Sequence, residues 1–509
     1  MNQFTLASIN FAWLPLLPLI AVALGAMAVM LVGVHVDDED SGGLGILALL
    51  ALLAAFILTA LNFGQNTITF GGSLALDDYS SFFELLIIIA TAITVAMSLD
   101  YVADTGLAGA EYYALVLMAA LGMMLLAAAG DLIIIFIGLE TMSIAVYALA
   151  GSMRRDIRSN EGGLKYFILG AFSTGFLLYG IALIYGATGT IQLEPISTAL
   201  SAGIATSPLL LFGVGMLLIG FGFKVAAVPF HMWTPDAYEG APTPVTAFMA
   251  VGVKIAAFAG FLRIFLIHLA PVSGHWAMVL AVVAALTMTV GNLCALVQTN
   301  VKRMLAYSAI AHAGYILVGM AAAPSADAGG AILYYLLGYA FTNLGAFAVV
   351  VAVERRNRMG GLIRDYRGLA RTNPVLSAAM AFFMLSLTGV PPLAGFVGKF
   401  YVLSAAVNAG LIWLVILAVL NSAASAYYYV GVIIAMYAQE GGAPAERASA
   451  HPGVLISIAA GVAGTIVIGV VPQPYMNSAV NAFASAEGHP GYSATVMLPV
   501  EHRANSHKG

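Results

Sequence analysis

The chain has 509 residues, of which 61% are hydrophobic and only 8% charged, with mean hydropathy +0.97 and a net charge of −5. Soluble domains carry about 25% charged residues, so this composition excludes a soluble globular protein and indicates an integral membrane protein. Cys294 is the only cysteine, which excludes an internal disulfide, an iron–sulfur cluster and any cysteine-based zinc site.

Apolar stretches of about 20 residues are long enough to cross roughly 30 Å of hydrocarbon. In chain order the sequence predicts spans at 11–34, 44–62, 81–99, 112–129, 131–151, 163–186 and 207–240. Seven more follow at 243–268, 276–298, 303–322, 329–353, 373–409, 411–438 and 452–472. No Lys or Arg precedes Arg154, so the basic flank of a secretory signal is missing and Phe11–Val34 reads as a first membrane helix that stays. The acidic run Asp37–Asp40 reads as a solvated loop, and the tail from Gln473 reads as weakly structured. Arg154, Arg155, Arg158, Lys165, Lys302, Arg303, Arg355, Arg356, Arg358, Arg364, Arg367, Arg371 and Arg447 all follow odd-numbered spans. By the positive-inside rule those loops face the cytoplasm and both termini face out. One missed span would scatter these charges over both faces.

Two spans are overlong and interrupted, at FKVAAVPFHMWTPD and at SLTGVPPLAGFVGKF. Proline removes a backbone donor, which hydrocarbon punishes unless the gap lies in protein or water. Paired broken helices point to inverted repeats with an ion site between them. Lys224 and Lys399 are 175 residues apart, and the same offset from Glu140 lands three residues beyond His312. Spans four to eight therefore match spans nine to thirteen, and an odd number of spans inverts the second unit. The resulting division is an N-terminal three-helix segment (1–111), a first five-helix repeat (112–268), a second inverted one (276–438), and a last span with the tail (439–509).

Glu140, Lys224, Lys254, His312 and Lys399 each fall deep within an apolar segment. Ionisable groups there cost about 2.5–3.5 kcal/mol each on insertion scales and commonly mark an ion path. Burial favours a neutral amine and a nearby carboxylate favours an ammonium, so Lys224 with Glu140 makes a group able to load and release a proton. The bland alternative is a static ion pair joining two helices. Lys254 lies twelve residues into its span, roughly 18 Å from the start, with nowhere to snorkel. It reads as a relay between the halves, against a structural lysine bonded to carbonyls. Histidine titrates near neutrality, so His312 reads as a further relay, with Tyr307, Ser308 and Tyr315 as hydroxyls nearby. Lys399, after the PPLAG break, reads as the exit toward the outside. His231, at the first break, is a possible extension, while Trp233 reads as packing. Thr234-Pro235-Asp236 and Thr243-Pro244 read as helix starts. Glu84 and Glu111 are weaker candidates, because both fall near span ends where solvation is cheap.

No GxxxxGK[ST] loop, no Rossmann GxGxxG after a strand and no facing histidine pair for haem occurs, and nothing points to nucleic acid. Moving one charge against 100 mV costs about 2.3 kcal/mol, so the energy has to come from ion exchange or from a redox partner.

The motifs FKVAAVPFHMWTPDAYEGAPTPVTAFMAVGVKIA, NVKRMLAYSAIAHAGYILVG and SLTGVPPLAGFVGKFYVL, in this order and spacing, resemble the antiporter-like membrane subunits of respiratory complex I. PDAYEGAPTPV, together with a lysine after PPLAGF, resembles the N branch rather than its sister M, and no long C-terminal amphipathic arm of the L type follows. The resemblance implies an all-α polytopic fold of about fourteen helices with helices seven and twelve broken. It also implies a Glu140–Lys224 pair, a connecting Lys254, His312 and a terminal Lys399 for proton transfer. It implies no cofactor or metal in this chain, with flavin, iron–sulfur clusters and quinone in partner subunits. The implied partners are antiporter-like subunits M and L, small helical subunits and the lipid of a bacterial inner membrane. A subunit of a multisubunit cation/proton antiporter is the alternative, and a spacer that moves no protons is a third reading.

Overall fold

The structure is a computed structural model that describes residues 13–36, 41–203, 205, 207–323, 327–354, 361–439 and 451–488. The start of the first predicted span, the run Asp37–Asp40, and Arg355, Arg356, Arg358 and Arg447 lie outside the described residues.

Among the described residues, twelve helices are long and apolar enough to cross a membrane. They are α1 (Leu14–Gly33), α2 (Gly42–Asn62), α3 (Asp78–Thr105), α4 (Gly109–Ala127), α5 (Leu132–Ala150) and α6 (Ile157–Thr188), then α10 (Thr243–His268), α11 (Ala270–Leu296), α12 (Val301–Ala321), α13 (Ala328–Val353), α16 (Ile412–Tyr437) and α17 (Pro452–Val470). A short α7 (Leu193–Ser201) follows α6, and β1 (Thr67–Thr69) pairs antiparallel with β2 (Leu74–Leu76) before α3. The protein is therefore an all-α, multi-pass membrane protein, with one small hairpin among the described residues.

Both expected interruptions are present. Helix α8 (Pro208–Lys224) ends at Lys224, and α9 (Thr234–Gly240) resumes after a turn containing the cis Val228–Pro229 bond. Helix α14 (Pro374–Thr388) is likewise separated from α15 (Ala394–Asn408) by a turn containing the cis Pro391–Pro392 bond. Local chemistry sets the helix starts. The Asp77 side chain accepts from the Ser80 N–H at 2.7 Å, Asp131 from Ile134 at 2.7 Å, and Asn300 from Lys302 at 2.8 Å. Each carboxylate or amide satisfies a donor that the first turn leaves unpaired. Proline occupies the first turn of α8, α9, α10, α14 and α17, where its missing N–H is harmless.

Burial separates interior from perimeter. The apolar windows of α10 and α12 are 94% buried, whereas those of α2 and α16 are 33% buried. The candidate side chains are carried mostly by the interior set and by helices packed on it. Helices α4 and α5 approach backbone to backbone at Gly122, where a Cβ would lie 2.3 Å from the Met142 nitrogen. Small residues permit that approach between membrane helices and so fix α5, the carrier of Glu140.

One expectation is corrected. The tail beyond Gln473 is not irregular at first, because α18 (Pro472–Ala486) forms and packs against α3 and α13. Met476, Ala479 and Phe483 recur at helical spacing and are buried, and the Ser485 hydroxyl accepts the Tyr79 N–H at 3.2 Å. Its polar outer face lowers its hydropathy, which hid it from a reading based on apolar runs.

Candidate functional site

The α5 sequence places Glu140, Ser143 and Tyr147 along one face, three and seven residues apart. Lys224 reaches this face from the end of α8 and is 1% exposed. Its ammonium donates to Ser143 Oγ at 2.7 Å and to Tyr147 Oη at 2.8 Å, and lies 5.2 Å from the Tyr147 ring centroid. Ser143 in turn donates to the Leu139 carbonyl. Glu140 accepts instead from the Thr174 hydroxyl of α6 at 2.7 Å. Glu140 lies one turn along α5 from Ser143, the acceptor of Lys224, but among the described residues the two charged groups do not share a hydrogen bond. The pair is thus adjacent and open.

An aromatic column ties this cluster to the first break. Tyr147 meets Tyr166 edge-on at 4.6 Å, Tyr166 stacks on Trp233 at 4.0 Å, and the Trp233 indole donates to the Phe223 carbonyl at 3.2 Å. Trp233 is a packing residue as expected, and it anchors the carbonyl next to Lys224. His231 sits in the turn before it, with Nδ1 buried and without a hydrogen-bond partner. Among the described residues no hydrogen bond joins it to Lys224.

A second cluster surrounds α12. Lys254 is 2% exposed and donates to the Ala309 carbonyl, one turn before His312. The helix loosens into a π turn at Met249–Val253, immediately before Lys254; such bulges recur at functional positions. His312 is bracketed by two hydroxyls, Tyr335 at 2.6 Å from Nδ1 and Tyr429 at 3.2 Å from Nε2. Ser308 bonds to the same Tyr429. Tyr315, one turn beyond His312, lies under the Lys399 ammonium, 4.9 Å from ring centroid to nitrogen. Lys399 donates to the Leu387 and Thr388 carbonyls and to Ser422 Oγ, each at 3.0 Å. Those carbonyls are the last of α14, where a helix leaves acceptors unpaired and favours a cation. Beside Lys399 a cavity of about 660 Å³ opens between α15 and α16, lined by Phe396, Phe400, Val415 and Val419.

Four of the five principal candidates therefore fall in hydrogen-bonded clusters with buried lysine or histidine at their centres, and Glu140 lies at the margin of the first. Among the described residues no hydrogen bond connects Lys224 with Lys254. Sequence reasoning missed the hydroxyl partners Ser143, Tyr147, Thr174, Tyr335, Tyr429 and Ser422. The first two carry a signal, their helical spacing from Glu140. The others come from distant segments and carry none. Tyr307 is only partly buried and stays outside the cluster.

Glu84 requires a correction. It is 2% exposed, not solvated, and accepts from the Thr59 hydroxyl at 3.3 Å; packing of α2 over α3 covers it. Glu111 is exposed as expected and lies 3.7 Å from Arg154. Arg263, which the sequence reading passed over, is buried on Asp77 through two 2.8 Å bonds.

Comparison with known proteins gives a consistent result. The family model described as NADH:quinone oxidoreductase/Mrp antiporter, transmembrane, matches residues 129–425. A protein of Trichlorobacter lovleyi named NADH-quinone oxidoreductase subunit N is 46% identical over 92% of this chain and 96% of its own length. A chain of respiratory complex I from Thermus thermophilus is 37% identical and superposes with a TM-score of 0.77, covering 90% of this chain and 98% of that one. A chain of the archaeal membrane-bound sulfane sulfur reductase, 26% identical, superposes at 0.84 over 93% and 97%. With the family match spanning more than half of the sequence and relatives covering nearly all of it, this chain belongs to the NADH:quinone oxidoreductase/Mrp antiporter transmembrane family, in its subunit N branch.

Proposed function

We propose that this protein is the membrane-embedded, proton-translocating N subunit of an NADH:quinone oxidoreductase. Redox chemistry elsewhere in the complex changes the electrostatics at one end of the buried chain. The Glu140–Lys224 pair opens or closes in response, and protons pass by Lys254 and His312 to Lys399 and out. His231 is a possible extension at the first break. The observation that carries this reading is a set of lysines and a histidine buried among apolar helices and bonded to hydroxyls and carbonyls.

Residues 112–268 and 276–438 form the two inverted five-helix units in this reading, each with one broken helix, after an N-terminal segment (1–111) and before the final span and tail (439–509). Both termini face the periplasm of a bacterial inner membrane. Flavin, iron–sulfur clusters and quinone belong to partner subunits, among them the antiporter-like subunits M and L. The family also includes Mrp antiporters, so sodium-dependent transport by vesicles would favour the cation/proton antiporter reading.

The test is Lys224→Ala in membrane vesicles carrying the assembled complex. Loss of proton uptake from a variant that is inserted and assembled is the expected result. Uptake equal to the parent's, per electron pair, rejects the function assigned to this residue.

A further inference from the structure

We propose that Ser143, Tyr147 and Thr174 act as a hydroxyl latch, positioning residues that hold the Lys224 ammonium and the Glu140 carboxylate apart in the state seen here. The inference rests on the proton-translocating reading of that pair and adds to it the groups that set its open state.

The geometry points to it in three ways. The lysine has two acceptors within 2.8 Å, Ser143 Oγ and Tyr147 Oη, so leaving Glu140 does not leave the ammonium bare. These acceptors and Glu140 lie on one face of α5, with a rise of about 4.5 Å between residues three apart. The ammonium therefore exchanges hydroxyls for carboxylate by sliding roughly one turn along a single helix. Thr174 supplies the matching restraint on the acid. Its oxygen lies 2.7 Å from Glu140 Oε1 and 3.1 Å from the Gly170 carbonyl, and one hydroxyl proton serves only one of them at a time. Rotation of that hydroxyl toward Gly170 releases the carboxylate. Rotation toward Glu140 holds it on α6.

The fold reserves space for the latch. A Cβ at Gly170 would lie 1.9 Å from the Tyr147 hydroxyl oxygen, so only glycine there admits the tyrosine in its present position. Ser143 donates to the Leu139 carbonyl, which leaves its lone pairs free to receive the ammonium. The column Tyr147–Tyr166–Trp233 then connects the latch to the turn that follows Lys224.

A hydrogen bond to a charged group is worth about tenfold or more in a two-state equilibrium. Removing one of these hydroxyls therefore shifts the pair toward closure, where the lysine cannot pass on its proton. The readout is protons taken up per electron pair in vesicles with the whole complex, a ratio that poorer assembly alone does not change. Tyr147→Phe, which keeps the ring, Thr174→Val and Gly170→Ala are expected to lower it, and Thr174→Ser to retain the parent value. Parent-like ratios for Tyr147→Phe and Thr174→Val, with Lys224→Ala defective, overturn the latch alone. A parent-like ratio for Lys224→Ala overturns the underlying assignment and the latch with it.

Discussion

The Asp77–Arg263 pair permits a quantitative prediction, because charge and helix capping can be removed separately. Asp77 caps α3 and also accepts two 2.8 Å bonds from the guanidinium of Arg263, whose side chain is 3% exposed. The same guanidinium donates to the Ala127 carbonyl at 3.1 Å and lies 4.6 Å from the Tyr79 ring centroid. One contact thus joins α3, α4 and α10. Asn at position 77 keeps a cap of equal quality but removes the countercharge. Breaking one partner of a buried pair costs about 3–5 kcal/mol, because the remaining charge stays desolvated. Asp77→Asn is therefore expected to lose about that much, and Asp77→Ala about 1 kcal/mol more for the lost cap. Arg263→Met combined with Asp77→Asn should recover most of the loss, since no charge remains buried. The assay is retention of folded, assembled subunit after graded heating of solubilised membranes. Asp77→Asn as heat-resistant as the parent, or a double variant worse than either single change, refutes the argument.

Two further outcomes follow from the packing. Gly122→Ala pushes α4 off α5 at the Met142 nitrogen, so the variant should lose about 1–3 kcal/mol of stability, read as reduced accumulation of the protein in membranes. His312→Leu strands the Tyr335 hydroxyl and leaves Tyr429 only its bond to Ser308, and should slow proton transfer by about a hundredfold, the low end for removing a positioned proton-transfer group, measured as quenching of a pH-gradient dye. Unchanged quenching would remove His312 from the path.

Span positions, the two interruptions and the five principal titratable residues were legible in the sequence. Each is a local signal, since an apolar run, a proline or a lone charge needs no knowledge of its neighbours. Where local signals were weak, the reading failed. Helix α18 carries too few apolar residues to register as a span, and Glu84 looked solvated because its distance from a helix end says nothing about which helix covers it.

What the chain by itself determined is the class of protein and the residues that hydrocarbon would not tolerate without a reason. Hydrophobic transfer acts on each segment independently, and so it can be read segment by segment. Only the tertiary structure decided the partners. Lys224 meets hydroxyls 81 and 77 positions away, His312 a tyrosine 117 away, and Arg263 a carboxylate 186 away. Hydrogen bonds are short-ranged and directional, so which hydroxyl a buried ammonium finds depends on how helices pack.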